Sequence, residues 1–161
     1  MDNKKIAKLS MLLSISVVLG LIESYIPLFS SVPGVKLGLA NIVILFSIYS
    51  LSFKDAMYIS MLRVILIGIL RTGLFSINFF FSLAGALLSI IVMYLVKSTK
   101  MSIVGVSVCG AISHSVAQII IAIIFLSNIN IIYYLPVLLI SSVITGVIVG
   151  MISKRIVEYY V

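Results

Sequence analysis

Between Lys100 and Lys154 the chain carries no Asp, Glu, Lys or Arg, and most of that stretch is Ile, Val, Leu, Ala and Phe. An apolar run of this length cannot be hidden inside a chain of 161 residues folded in water. Lipid accepts it, provided that every backbone N–H and C=O is bonded within a helix or a closed barrel. A barrel would show short alternating segments separated by polar turns, and none is present. The expected fold is therefore all-α, an integral membrane bundle. The whole composition agrees, at 63% hydrophobic and 9% charged residues with a mean hydropathy of +1.37.

Charged or Pro/Gly-rich breaks between apolar runs of ~20 residues divide the chain into six spans. They are expected at about 8–26, 37–53, 55–74, 77–97, 102–127 and 133–156, forming a single transmembrane domain over 1–161. The second is short and is separated from the third only by Lys54 and Asp55, so a re-entrant second segment stays open as an alternative. Lys4, Lys5 and Lys8 precede the first run without a small-residue cleavage site, so that run reads as an anchor and not a signal peptide.

Alternating spans place Lys4, Lys5, Lys8, Lys54, Lys97, Lys100, Lys154 and Arg155 on one side, eight of the eleven basic residues. The positive-inside rule then puts both termini in the cytoplasm. Tyr25, Tyr133 and Tyr134 suit the outer interface, and Tyr159 and Tyr160 the inner one. This distribution explains the net charge of +7 without nucleic acid, because no basic stripe with interleaved aromatics exists. The lone Cys109 sits in an apolar run, where its default role is packing.

Small residues spaced by four let helices approach closely in lipid. Ser142, Gly146 and Gly150 form such a stripe, as do Gly34 with Gly38, and Ser82 with Ala86. Internal packing is the plain reading of these. Ser10 and Ser14, on the cytoplasmic half of the first span, are also candidates for docking a partner's helices.

Ionisable residues within a bilayer cost about 2.5–3.5 kcal/mol each on insertion scales, so they face a bundle interior or an aqueous cavity. Glu23, Lys36, Asn41, Arg71, Asn78, Ser82, His114 and Gln118 fall at one outer depth on five spans, with Arg63 near mid-depth. The inner halves of the spans are almost purely apolar. His114 and Gln118 are four apart and share a helical face. Pro33 and Gly34 bend an outer loop into the second span, so that Lys36 and Asn41 reach a shared outward-facing cavity. Glu23 neutralises one of three cations, which leaves a cationic excess suited to a small anionic or strongly polar ligand. Each residue has a plainer role available: Lys36 and Arg71 can snorkel to head groups, and Asn78 and Ser82 can bond between helices or cap one. Arg63 can serve as an interhelical bonding centre, and His114 as a satisfied core residue.

Autonomous catalysis is not expected. The two aspartates, Asp2 and Asp55, form no cluster that could hold magnesium on a diphosphate. There is no Walker A loop and no Cys/His spacing for zinc or an iron–sulfur cluster, so neither a metal nor a cofactor is called for.

The run PGVKLGLANIV (Pro33 to Val43), Arg63, FSLAGALLS (Phe81 to Ser89), GVSVCGAISHSVAQ (Gly105 to Gln118) and YLP (Tyr134 to Pro136) together resemble a bacterial membrane family called Gx transporters. The same family is labelled heptaprenyl diphosphate synthase component I. The chain departs from it at Ser115, where an asparagine is expected, and at Ser10 and Ser14, where alanines are. The resemblance implies a fold like the substrate-binding S components of energy-coupling factor (ECF) transporters, in the bacterial cytoplasmic membrane. Its implied partners are a membrane coupling subunit, docked through the small residues of the first helix, and cytoplasmic ATPases. The enzyme label implies instead an accessory to a separate catalytic prenyltransferase subunit. A third implied role is a quinone-linked component of electron transfer across the membrane.

Overall fold

The computed structural model describes residues 3–25 and 37–160. Within them the chain forms six α-helices: α1 (Asn3–Tyr25), α2 (Leu39–Ser50), α3 (Phe53–Ile67), α4 (Ile77–Lys97), α5 (Ile103–Leu126) and α6 (Leu135–Tyr160). α3 is prolonged by a π-helical turn at Gly68–Thr72, and a 3-10 turn at Ile129–Tyr134 leads into α6. No strand occurs among the described residues.

Local chemistry sets most of the boundaries. Ser52, Ser76 and Ser102 have extended backbones, and their hydroxyls accept from the amides of Asp55, Phe79 and Gly105, capping α3, α4 and α5. Gly38 precedes α2 with φ of 77°, a left-handed conformation that a side chain would strain, and Gly73 ends the π turn with φ of 81°.

Among the described residues four stretches are long and apolar enough to cross a membrane: Asn3–Tyr25, Ile77–Lys97, Ile103–Leu126 and Ile129–Tyr160. The six expected spans are thus six helices, of which α2 and α3 do not meet that standard. α2 has 12 residues, about 18 Å of helix against a hydrocarbon core of ~30 Å. It is instead enclosed, packing against α1, α3, α4 and α6, with seven of its 12 residues buried. Leu45 and Ile48 on α2, Ile59 on α3, Ile90 on α4 and Val106 on α5 form the core around it. The outward surface is apolar too: Met11, Ile15, Val18 and Ile22 on α1 and Ile140, Ile144, Ile148 and Ile152 on α6 are exposed. Aliphatic residues inside and outside alike are what a lipid-facing helical protein requires.

α5 and α6 are joined by backbone approach. A Cβ on Gly146 would lie 2.9 Å from Val108 Cα, and one on Gly150 2.7 Å from Val104 Cα, so the Ser142/Gly146/Gly150 stripe is the seam between these helices.

The start of α1 and the end of α6 lie at one end of the described bundle. Lys5 Nζ is 2.9 Å from Asp55 Oδ2, which ties the start of α1 to the start of α3. Lys97, ending α4, donates to the Ile48 carbonyl near the end of α2 at 2.7 Å. The Tyr160 ring meets Phe46, centroids 6.4 Å apart. The helix directions therefore gather Lys4, Lys5, Lys8, Lys54, Lys97, Lys100, Lys154 and Arg155 at the terminal end, with exposed Tyr25 and Tyr133 at the other.

Candidate functional site

A cavity of about 160 Å³ lies inside the helices, and all six contribute to its wall. From α1 come Gly20, Glu23 and Ser24, and from α2 and the turn before it Gly38, Asn41 and Leu45. α3 supplies Arg63, Val64 and Ile67, with Thr72 from the π turn, and α4 supplies Phe79, Ser82, Ser89 and Met93. α5 adds Ser107, Gly110, His114 and Ser115, and α6 adds Ser141, Ser142, Thr145 and Gly146.

Arg63 is the electrostatic centre. It is 6% exposed, in the interior of α3, and Nη1 donates to Asn41 Oδ1 at 3.2 Å. Glu23 sits across from it near the far end of α1, where Oε1 accepts the Gly38 amide and so stitches α1 to the entry of α2. That bond and the left-handed Gly38 together orient the first turn of α2, which is why Asn41 faces inward. Glu23 and Arg63 share the wall, yet no ion pair joins them.

His114 rests on Gly85 of α4. A Cβ there would stand 2.5 Å from His114 Cε1, so glycine is what lets the imidazole lie between α4 and α5. One turn along α5, the Met93 thioether fills the space beside Gly110, whose Cβ would lie 2.5 Å from Met93 Cγ.

The α5–α6 side is a wall of hydroxyls. Ser115 and Ser142 Oγ are 2.6 Å apart, while Ser142 Oγ also donates to the Leu138 carbonyl at 2.6 Å. Ser141 donates to Leu138 and Thr145 to Ser141, at 2.9 and 3.0 Å. Deeper still, Ser89 is 2% exposed and its hydroxyl has no hydrogen-bond partner among the described residues.

Of the residues expected at the site, Glu23, Asn41, Arg63, Ser82 and His114 come together on this wall. Arg71 does not. It is exposed, bonded to the Ser24 hydroxyl and lying 4.3 Å over the Tyr25 ring, so it clamps the end of α1 to the π turn that prolongs α3. Asn78 is exposed on the first turn of α4, beyond the rim. Gln118 is buried but off the wall, and its Oε1 has no partner among the described residues. Lys36, like Pro33 and Gly34, lies outside the described residues. Ser10 and Ser14 are exposed on α1, the Ser14 hydroxyl donating to the Ser10 carbonyl.

Sequence reading missed the sixth helix's share and the depth of the polar lining. Ser89, Ser107, Ser141, Ser142 and Thr145 carry no signal by type alone, since a Ser or Thr in a span usually bonds a carbonyl of its own helix. The halves of the helices nearer the basic end are accordingly less apolar than expected, with Ser16, Ser47, Ser60 and Ser153 also buried. Among the described residues no three His, Cys, Asp or Glu side chains converge as a metal ligand set.

A family model described as heptaprenyl diphosphate synthase component I matches residues 12–156. No curated protein and no solved structure matches the chain.

Proposed function

The chain belongs to the heptaprenyl diphosphate synthase component I family, and from that premise we propose that it is a non-catalytic membrane subunit that binds a small polar solute in its internal cavity, as the S component of an ECF-type uptake transporter does. The observation that carries this reading is the buried Arg63, bonded to Asn41 on a cavity wall to which every helix contributes. An intramembrane arginine is expensive to keep, and a solute site gives it a use. In this reading the six helices are one transmembrane domain in the bacterial cytoplasmic membrane. The basic terminal end faces the cytoplasm and the cavity opens outward. Glu23, Asn41, Arg63, Ser82 and His114 bind the solute, while Arg71, Asn78 and Gln118 act at the periphery. Ser10 and Ser14 lie where an ECF coupling subunit would dock, with ATPases beneath.

A second reading rests on the family's description: an accessory that anchors a catalytic prenyl diphosphate synthase subunit at the membrane. Its contact would be the cytoplasmic end, not the cavity. An engineered cavity of about 150 Å³ holds benzene, so a space of about 160 Å³ suits a small solute far better than a polyprenyl chain.

Gentle purification from native membranes followed by native mass spectrometry separates the two. The first reading expects a small molecule bound to the protein and co-purifying coupling and ATPase subunits. A soluble prenyltransferase partner with no bound solute would favour the second.

A further inference from the structure

The cavity's own charges point to a narrower class of solute, an inference that rests on the solute-binding reading above. A cationic excess was expected from Lys36, Arg63 and Arg71 against Glu23. Arg71 is not part of the wall, being bonded to the Ser24 hydroxyl and stacked over the Tyr25 ring. Among the described residues the wall keeps one guanidinium, on Arg63, and one carboxylate, on Glu23, without an ion pair between them. Arg63 and Glu23 attract each other across the wall without closing to an ion pair, so an occupant carrying both charges can bridge them.

The neutral groups sort the same way. A hydroxyl has one hydrogen and two lone pairs. On α6 those hydrogens are used by the helix backbone, Ser141 and Ser142 donating to Leu138 and Thr145 to Ser141. What these three can offer the cavity is acceptors. Acceptors therefore gather on α1 and α6, and the charged donor stands on α3. The Ser89 hydroxyl, buried on the wall and without a partner among the described residues, adds a further polar contact deeper in.

We propose that the cavity binds a small zwitterion, its acid group on Arg63 and its ammonium on Glu23 and the α6 hydroxyls. At about 160 Å³ the space takes a molecule near the size of benzene, which is the scale of a small amino acid.

The test uses the full chain in lipid nanodiscs and isothermal titration with glycine, alanine, β-alanine, proline and γ-aminobutyrate, each beside its N-acetyl and amide derivatives. At least one free zwitterion should bind, and both of its derivatives should bind about 10- to 100-fold more weakly, the worth of one charged hydrogen bond. Glu23→Gln should erase the preference for the free ammonium and Arg63→Gln that for the free acid group. Glu23→Asp and Arg63→Lys, which keep the charges, should recover part of each, so that a folding defect is told apart from a lost contact. An N-acetylated acid binding as tightly as its parent would overturn the proposal, and so would a panel in which nothing binds. If that panel fails while native mass spectrometry still finds another small molecule on the wild type, lost in Arg63→Ala, only the zwitterion falls. If neither assay finds a solute, the solute-binding reading falls with it.

Discussion

The His114 imidazole on α5 lies so close to Gly85 on α4 that an added Cβ would come within 2.5 Å of its Cε1. Gly85→Ala must therefore push the ring out of place or part the helices, at about 1–3 kcal/mol for an overpacked site. Removing the ring should remove the conflict, so Gly85→Ala combined with His114→Ala should be more stable than Gly85→Ala alone. Thermal unfolding of the four proteins of that cycle measures the coupling, and an additive cycle would refute the contact.

The α5–α6 seam predicts a contrast between glycines. Gly150→Ala drives a methyl group to 2.7 Å from Val104 Cα, and backbone cannot rotate aside as a side chain can. It should lower the unfolding temperature, again by about 1–3 kcal/mol in stability. Gly105→Ala, near the start of the same α5, meets nothing closer than the Ser102 hydroxyl at 3.4 Å and should be neutral or gain up to about 1 kcal/mol of helix propensity. Equal unfolding temperatures for the two variants would contradict the seam.

How much of this was readable beforehand follows from what spacing encodes. Lengths of apolar run and the charges between them gave the helix order and most ends, because hydrocarbon thickness and caps are one-dimensional constraints. The run at 37–53 yielded a helix of only 12 residues, since the Gly38 turn and the break before the Ser52 cap shorten it at both ends. A shared cavity was likewise legible for Arg63, Asn41 and His114, which line one wall. Direction around the helix was not: Arg71 and Asn78 are exposed and off the wall. Arg71 lies on the π turn, whose altered residues per turn defeat face counting from α3. The α6 hydroxyls were hidden because Ser142 belongs to a stripe that also packs, so one residue type serves two purposes.

The start of α3 should be held mainly by its cap. The Ser52 hydroxyl accepts the Asp55 amide at 3.3 Å and donates to Asp55 Oδ2 at 2.7 Å. Ser52→Ala should cost about 1 kcal/mol. Lys5→Ala, which removes a pair whose lysine is 42% exposed, should cost less than that. Denaturation of the two variants in matched nanodiscs checks the order, and a larger loss from Lys5→Ala would reverse it.

The proposed orientation is open to a labelling experiment. With Cys109→Ala as background, Thr99→Cys lies on the basic terminal end and Asn130→Cys on the opposite one, both exposed. A membrane-impermeant maleimide applied to intact bacterial cells with permeable outer layers should label Asn130→Cys and reach Thr99→Cys only after lysis. The opposite pattern would invert the topology and point the cavity's outer end at the cytoplasm.

Everything functional depends on hydrophilic side chains of six helices enclosing a space that a solute occupies. The most direct measurement is native mass spectrometry of wild type, Arg63→Ala and His114→Ala, each released from native membranes under one protocol. Wild type should carry one small molecule per chain, and both folded variants should arrive without it. If the two variants kept the same bound mass at the same occupancy, the cavity around Arg63 would not be where this protein holds its solute.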